Sequence, residues 1–150
     1  MRKLVVCNIM SLDGYDEGPG NNVMVLPMDA SFDEYNLERI RAADAVLLGR
    51  TSYQAFSGFW PAMADNPDAP WLAELKQRSG REILTFASRT LWNHLLAAGL
   101  VDELHLVVGS TVLGGGTPIF GAPVAGLKLL HAHGFEGSDN VLLTYAAAAS

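Results

Sequence analysis

Two short stretches of this chain share one grammar. In Leu48-Gly49-Arg50-Thr51 an apolar run ends in glycine and passes at once into an arginine and a hydroxyl residue. In Phe86-Ala87-Ser88-Arg89-Thr90 an apolar run ends in small residues, again followed by arginine and a hydroxyl. Where such a turn opens a helix, free N–H groups and the positive end of the helix dipole favour an anion. Small residues let the backbone come close, and arginine adds charge-assisted, bidentate hydrogen bonds. The chemistry on offer is phosphate binding. For either turn alone, ordinary capping by the hydroxyl is the simpler reading. Two such turns, each with an arginine, point to a ligand carrying two phosphates. Neither is a G-x-G-x-x-G fingerprint or a P-loop, so a Rossmann site and kinase chemistry are unsupported.

Asp13, in Ser11-Leu12-Asp13-Gly14, is the candidate catalytic residue. It could orient a substrate N–H or help deliver a proton; the alternative is a turn aspartate bonded to nearby backbone. Asp102 reads as a turn cap, and Glu103 as either structural or facing the cleft. His131 and His133 alternate on a strand and so share a face, but no third ligand accompanies them, and no metal is expected. His94 and His105 lie among apolar residues and read as structural. Trp60, Trp71 and Trp92 read as core or interface. Ser88 lacks a G-x-S-x-G elbow, and Cys7, the only cysteine, reads as a buried strand residue, so nucleophilic hydrolysis is unsupported.

The elements that must position these residues follow from pattern. Residues 3–10 form a strand apolar on both faces, as in a covered sheet. Ser31 and Glu34 have capping-box spacing, which starts a helix over 32–42. A second buried strand covers 45–48, a short helix 52–58, a proline-rich loop 60–70 and a helix 71–78. A strand at 82–86, a helix at 90–98 stopped by Gly99, and a strand at 104–108 follow. Leu113-Gly114-Gly115-Gly116 is a flexible loop, and the runs 127–135 and 140–146 form an antiparallel hairpin at a sheet edge. This order predicts one α/β domain: a mostly parallel sheet flanked by helices, with an antiparallel edge. Both arginine turns then lie at the carboxyl edge, where open α/β sheets bind ligands.

Bulk properties narrow the classes. The chain has 150 residues, 49% hydrophobic and 17% charged, against roughly 25% charged in ordinary domains. So few charges suggest apolar surface hidden against a second copy, and a homodimer is expected. The net charge is −6 with no basic cluster, which argues against nucleic acid. No stretch approaches a membrane span, no signal h-region is present, and a cytoplasmic protein is expected.

The residues in order resemble the reductase domain of the riboflavin-biosynthesis deaminase-reductases and its stand-alone relatives in the dihydrofolate-reductase-like superfamily. The resemblance runs through Met1 to Val6, Ser11-Leu12-Asp13-Gly14-Tyr15, Leu47 to Tyr53, Phe56 and Trp60. It continues through Ile83, Ser88 and Leu91, Gly99-Leu100-Val101-Asp102-Glu103-Leu104-His105-Leu106, Val112 to Phe120 and Val141 to Tyr145. It implies a mixed, mostly parallel central sheet with NADPH laid across it. It places Gly49, Arg50 and Thr51 at the cofactor phosphates, and Ser88, Arg89 and Thr90 at the pyrophosphate turn. Gly114, Gly115 and Gly116 would flank the cleft, and Asp13 would lie beside substrate and nicotinamide. The implied reaction is hydride transfer from NADPH to a small pteridine- or pyrimidine-like substrate, related to that of 5-amino-6-(5-phosphoribosylamino)uracil reductase. The alternative is a non-catalytic dimeric nucleotide-binding module of the same fold. The sequence departs from the family where Pro70-Trp71 replaces a longer segment, where Ala87 replaces a common glycine, and at Ser110, where proline is common.

Overall fold

The computed structural model describes residues 2–49 and 77–147. Strands β1 (Leu4–Met10), β3 (Ala43–Leu47), β4 (Glu82–Phe86), β5 (Glu103–Val108), β7 (Lys128–Gly134) and β8 (Val141–Ala146) form a six-stranded sheet in the order β3-β4-β1-β5-β8-β7. The pairs β3/β4, β4/β1 and β1/β5 are parallel, while β5/β8 and β8/β7 are antiparallel. The expected strands and the terminal hairpin are all present. Not foreseen were β2 (Tyr15–Glu17) and β6 (Thr117–Pro118), which pair antiparallel in a small second sheet. The helix expected over 52–58, the loop at 60–70 and nearly all of the helix at 71–78 lie outside the described residues, as do Arg50 and Thr51.

Strand β1 shows why the sheet must be covered on both sides. Leu4 and Val6 face one core, with Ile83, Leu104, Leu106 and the helix α2 (Arg89–Ala97). Val5, Cys7 and Ile9 face the other, with Leu84, Val107 and Tyr35 of the helix α1 (Ala30–Ala42). Alternate residues of a strand point to opposite faces, so an unbroken apolar run is what two cores demand. Leu91, Trp92 and Leu95 are the buried side of α2. Trp92 is fully buried, and its replacement by alanine is expected to cost about 3–5 kcal/mol.

One helix start differs from expectation. α1 is capped by Asp29, whose side chain accepts from Phe32 N at 3.0 Å, and not by a Ser31–Glu34 box. Asp29 also accepts from Ser138 Oγ, so it ties the helix to the β7–β8 turn. No helix among the described residues is long and apolar enough to cross a membrane.

Candidate functional site

Four parallel strands that are neighbours in the sheet deliver their following loops to one edge. β3 leads into Gly49, β4 into Ala87-Ser88, β1 into Ser11–Gly14, and β5 into the loop around Gly114. The two arginine turns are thus adjacent, and a hydrogen bond joins them: Gly49 N donates to Ser88 Oγ at 3.0 Å. Ser88 stands at the N-cap of α2, yet its side chain is spent on the neighbouring turn. α2 begins with no side-chain cap, and a helix start of that kind is suited to an anion.

Ala87 and Ser88 have φ of 48° and 53°, two successive left-handed residues that are not glycine. That conformation is unfavourable for L-residues, and such strain gathers at functional turns. It also explains why glycine suits the position of Ala87. Thr90 sits in the first turn of α2, its side chain exposed.

Asp13 is a clamp on the glycine loop. Its Oδ1 accepts from Ser11 Oγ at 2.7 Å and from Leu113 N at 3.1 Å, and its Oδ2 accepts from Gly114 N at 2.8 Å. The Ser11 hydroxyl and then these backbone donors lower its pKa to about 2. Asp13 is therefore a fixed anion and hydrogen-bond acceptor at neutral pH. The loop expected to be flexible is held on one side by this carboxylate. Gly116 is held on the other by a close approach, since a Cβ there would stand 2.1 Å from the Glu17 carbonyl oxygen. Gly114 and Gly115 face open space, with nothing within 4 Å of a Cβ built on either.

Sequence reasoning missed Asp16. It lies on β2, 8% exposed, and its Oδ1 is 3.4 Å from Arg89 Nε. The two charges pair, yet neither atom has an aligned hydrogen-bond partner. Burial pushes the Asp16 carboxyl up to about 6, with Arg89 opposing and Glu17 adding to the rise. An acidic residue in a glycine-rich stretch reads as a solvated turn; its burial comes with the packing of β2 against β1 and β6, which joins distant parts of the sequence. Asn8 Nδ2, Thr85 Oγ1 and Trp92 Nε1 are further buried polar atoms without partners.

The remaining candidates lie elsewhere. Glu103 is at the amino end of β5, away from the site edge, and binds Lys3 Nζ at 2.7 Å and His105 Nε2 at 2.8 Å. Asp102 Oδ2 accepts from Leu4 N at 2.7 Å, fastening β1 rather than merely capping a turn. His105 is buried with its Nδ1 against the Tyr35 hydroxyl, whereas His94 is exposed on α2. His131 and His133 lie on the exposed strand β7, and no group of three metal-binding side chains occurs among the described residues.

Over residues 66–141 the sequence matches the RibD C-terminal domain family. No curated protein matches it in sequence. A riboflavin biosynthesis protein from Shewanella sp. PV-4 superposes with a TM-score of 0.73 at 20% identity, over 97% of this chain and 99% of its own. The diaminohydroxyphosphoribosylaminopyrimidine deaminase/5-amino-6-(5-phosphoribosylamino)uracil reductase of Thermotoga maritima gives 0.73 at 12% identity, over 98% of this chain and 57% of that one. This chain thus spans a little over half the length of that relative. Dihydrofolate reductase from Enterococcus faecalis, solved with NADP(H), gives 0.65 at 15% identity, over 96% and 95% of the two chains. At these identities the likeness establishes the fold, which is that of dihydrofolate reductase.

Proposed function

This chain belongs to the RibD C-terminal domain family, and from that premise we propose that it is an NADPH-dependent reductase of a small pteridine- or pyrimidine-like substrate. One observation carries the reading. The Gly49–Ser88 hydrogen bond holds the ends of β3 and β4 as a single cradle at the uncapped N-terminus of α2. A helix start with free N–H groups, a neighbouring arginine and backbone kept close is suited to a pyrophosphate.

Within this reading, Gly49, Ser88, Arg89 and Thr90 hold the cofactor phosphates, together with Arg50 and Thr51 from the turn after β3. Gly114 and Gly115 leave room for the cofactor or substrate beside β5. When bound, NADPH supplies the hydride. Asp13 keeps the glycine loop in place and presents a carboxylate that accepts a substrate N–H. The exposed edge strand β7, with Leu129 and Leu130 at its surface, supports a homodimer. A cytoplasmic location completes the proposal.

The test is twofold. NADPH fluorescence should change on titration with the protein and weaken with Arg50→Ala. Absorbance should then follow NADPH oxidation across a panel of pyrimidines and pteridines. Absence of binding at millimolar cofactor would sink the reductase reading. Binding without turnover on any panel member would favour a non-catalytic nucleotide-binding module.

A further inference from the structure

Arg89 stands at the first position of the helix whose N-terminus forms the phosphate cradle. Asp16 is its sole charged partner among the described residues, and it comes from a different element, the short strand β2. Asp16 is more than nine-tenths buried, and both paired atoms are sealed from solvent without an aligned hydrogen bond. The Arg89 side chain as a whole is 29% exposed, so the pairing does not enclose it completely. An anion arriving at the cradle meets an arginine whose charge is already half committed.

We propose that Asp16 is a specificity-determining counter-ion of Arg89: its carboxylate draws the guanidinium back from ligand phosphate and sets how tightly the cradle holds a multiply charged nucleotide. The inference rests on the cofactor reading above and adds a residue to it. A negative charge next to a phosphate-binding arginine weakens the site by Coulomb repulsion of the incoming anion and by competition for the same donors. The low effective dielectric at a buried position strengthens both.

The charge of Asp16 is itself adjustable. Burial raises its pKa to about 6, so it is ionised at pH 8 and neutral at pH 5. Arg89 of α2 and Glu17 of β2 are the charged groups that act on it. Of the other elements packed on β2, the strand β6 (Thr117–Pro118) and the turn Val23–Val25 carry no titratable side chain, and β1 carries only the buried thiol Cys7. The restraint on Arg89 is therefore present at high pH and lifted by acid.

Calorimetric titration of NADP+ into the wild type, Asp16→Asn, Arg89→Ala and the double variant tests this. At pH 8, Asp16→Asn is expected to bind about three- to tenfold more tightly than the wild type. At pH 5 the two are expected to bind alike; taking the ratio of their affinities cancels titration of the cofactor's own phosphate. In the Arg89→Ala background the gain from Asp16→Asn at pH 8 should shrink to the small part that direct repulsion of the anion leaves; an undiminished gain there would overturn the role of Arg89. Should Asp16→Asn fail to fold, Asp16→Thr, also uncharged and well suited to a strand, takes its place. Wild type that binds NADP+ with a neutral variant no tighter at pH 8 overturns the inference and leaves the cofactor reading intact. No binding by any of the four overturns both.

Discussion

The Ser88 hydroxyl accepts the N–H of Gly49 across 3.0 Å, so the turns after two adjacent parallel strands are one unit. Each turn taken separately reads as a helix start. Joined, they make a cradle whose shape depends on a single side-chain oxygen.

Ser88→Ala should therefore damage binding more than folding. The lost hydrogen bond is expected to cost about 1 kcal/mol of stability. NADPH affinity should fall about fivefold or more, because the two turns are no longer held in register. Fluorescence titration beside urea unfolding checks this, and an unchanged affinity would show that the turns act independently.

Ala87→Gly should stabilise the protein. Ala87 has φ of 48°, a region costing L-residues roughly 1–2 kcal/mol, and glycine enters it without that penalty. After the entropy that glycine gains in the unfolded chain, a net gain of about 0.5–1 kcal/mol remains. For a chain of this size the melting temperature should rise by about 2–3 °C. A lower melting temperature would contradict the assigned backbone conformation.

Asp13→Ala should release the glycine loop. The amides of Leu113 and Gly114 lose their acceptor and are expected to exchange hydrogen faster, with amides of β1 unaffected. The folded pKa of Asp13 is depressed to about 2, so its contribution is present above the ordinary carboxylate range and lost only as pH falls through that value. Loop protection, corrected for intrinsic exchange, should thus be constant between about pH 5 and 8. A change in that window would assign the clamp to another group.

The buried His105 links pH to stability. Burial lowers its pKa, outweighing the Glu103 carboxylate that pulls the other way. A depressed folded pKa means that the unfolded chain binds the proton more readily. Stability is then full above the ordinary histidine value, about 6.5, and falls as pH drops below it. Glu103, pushed up by burial but held lower on balance by Lys3 and His105, adds a loss in the same direction at more acidic pH. Asp16, raised to about 6, opposes this over the same range, because the folded chain takes up that proton more readily. The unfolding free energy in urea of the wild type relative to His105→Gln isolates the histidine part and should fall as pH drops below about 6.5.

Much of this was legible in the sequence because parallel strands buried on both faces are written as apolar runs. Leu4 to Ile9 and Ile83 to Phe86 are such runs, and the glycine and arginine at their ends mark the edge where ligands bind. The pairing of β2 with β6 was not legible. Strands of three and two residues carry no period, and their contact joins positions about a hundred residues apart in sequence. The burial of Asp16 comes with the placement of β2 against β1 and β6 and was hidden with it. The cap of α1 was not legible for a related reason: Asp29 and Ser31 are both good caps, and the bond from Ser138 to Asp29, a contact from the far hairpin, accompanies the choice of Asp29.

The central claim is that the joined turns after β3 and β4 hold a nucleotide phosphate. Amide resonances of the labelled protein, followed as NADPH is added, test it most directly. The account predicts saturable shifts at Gly49, at Ser88 to Leu91 and at Gly114 and Gly115, with the hairpin of β7 and β8 unmoved. Saturable shifts confined to other residues, or none at millimolar NADPH, would contradict it.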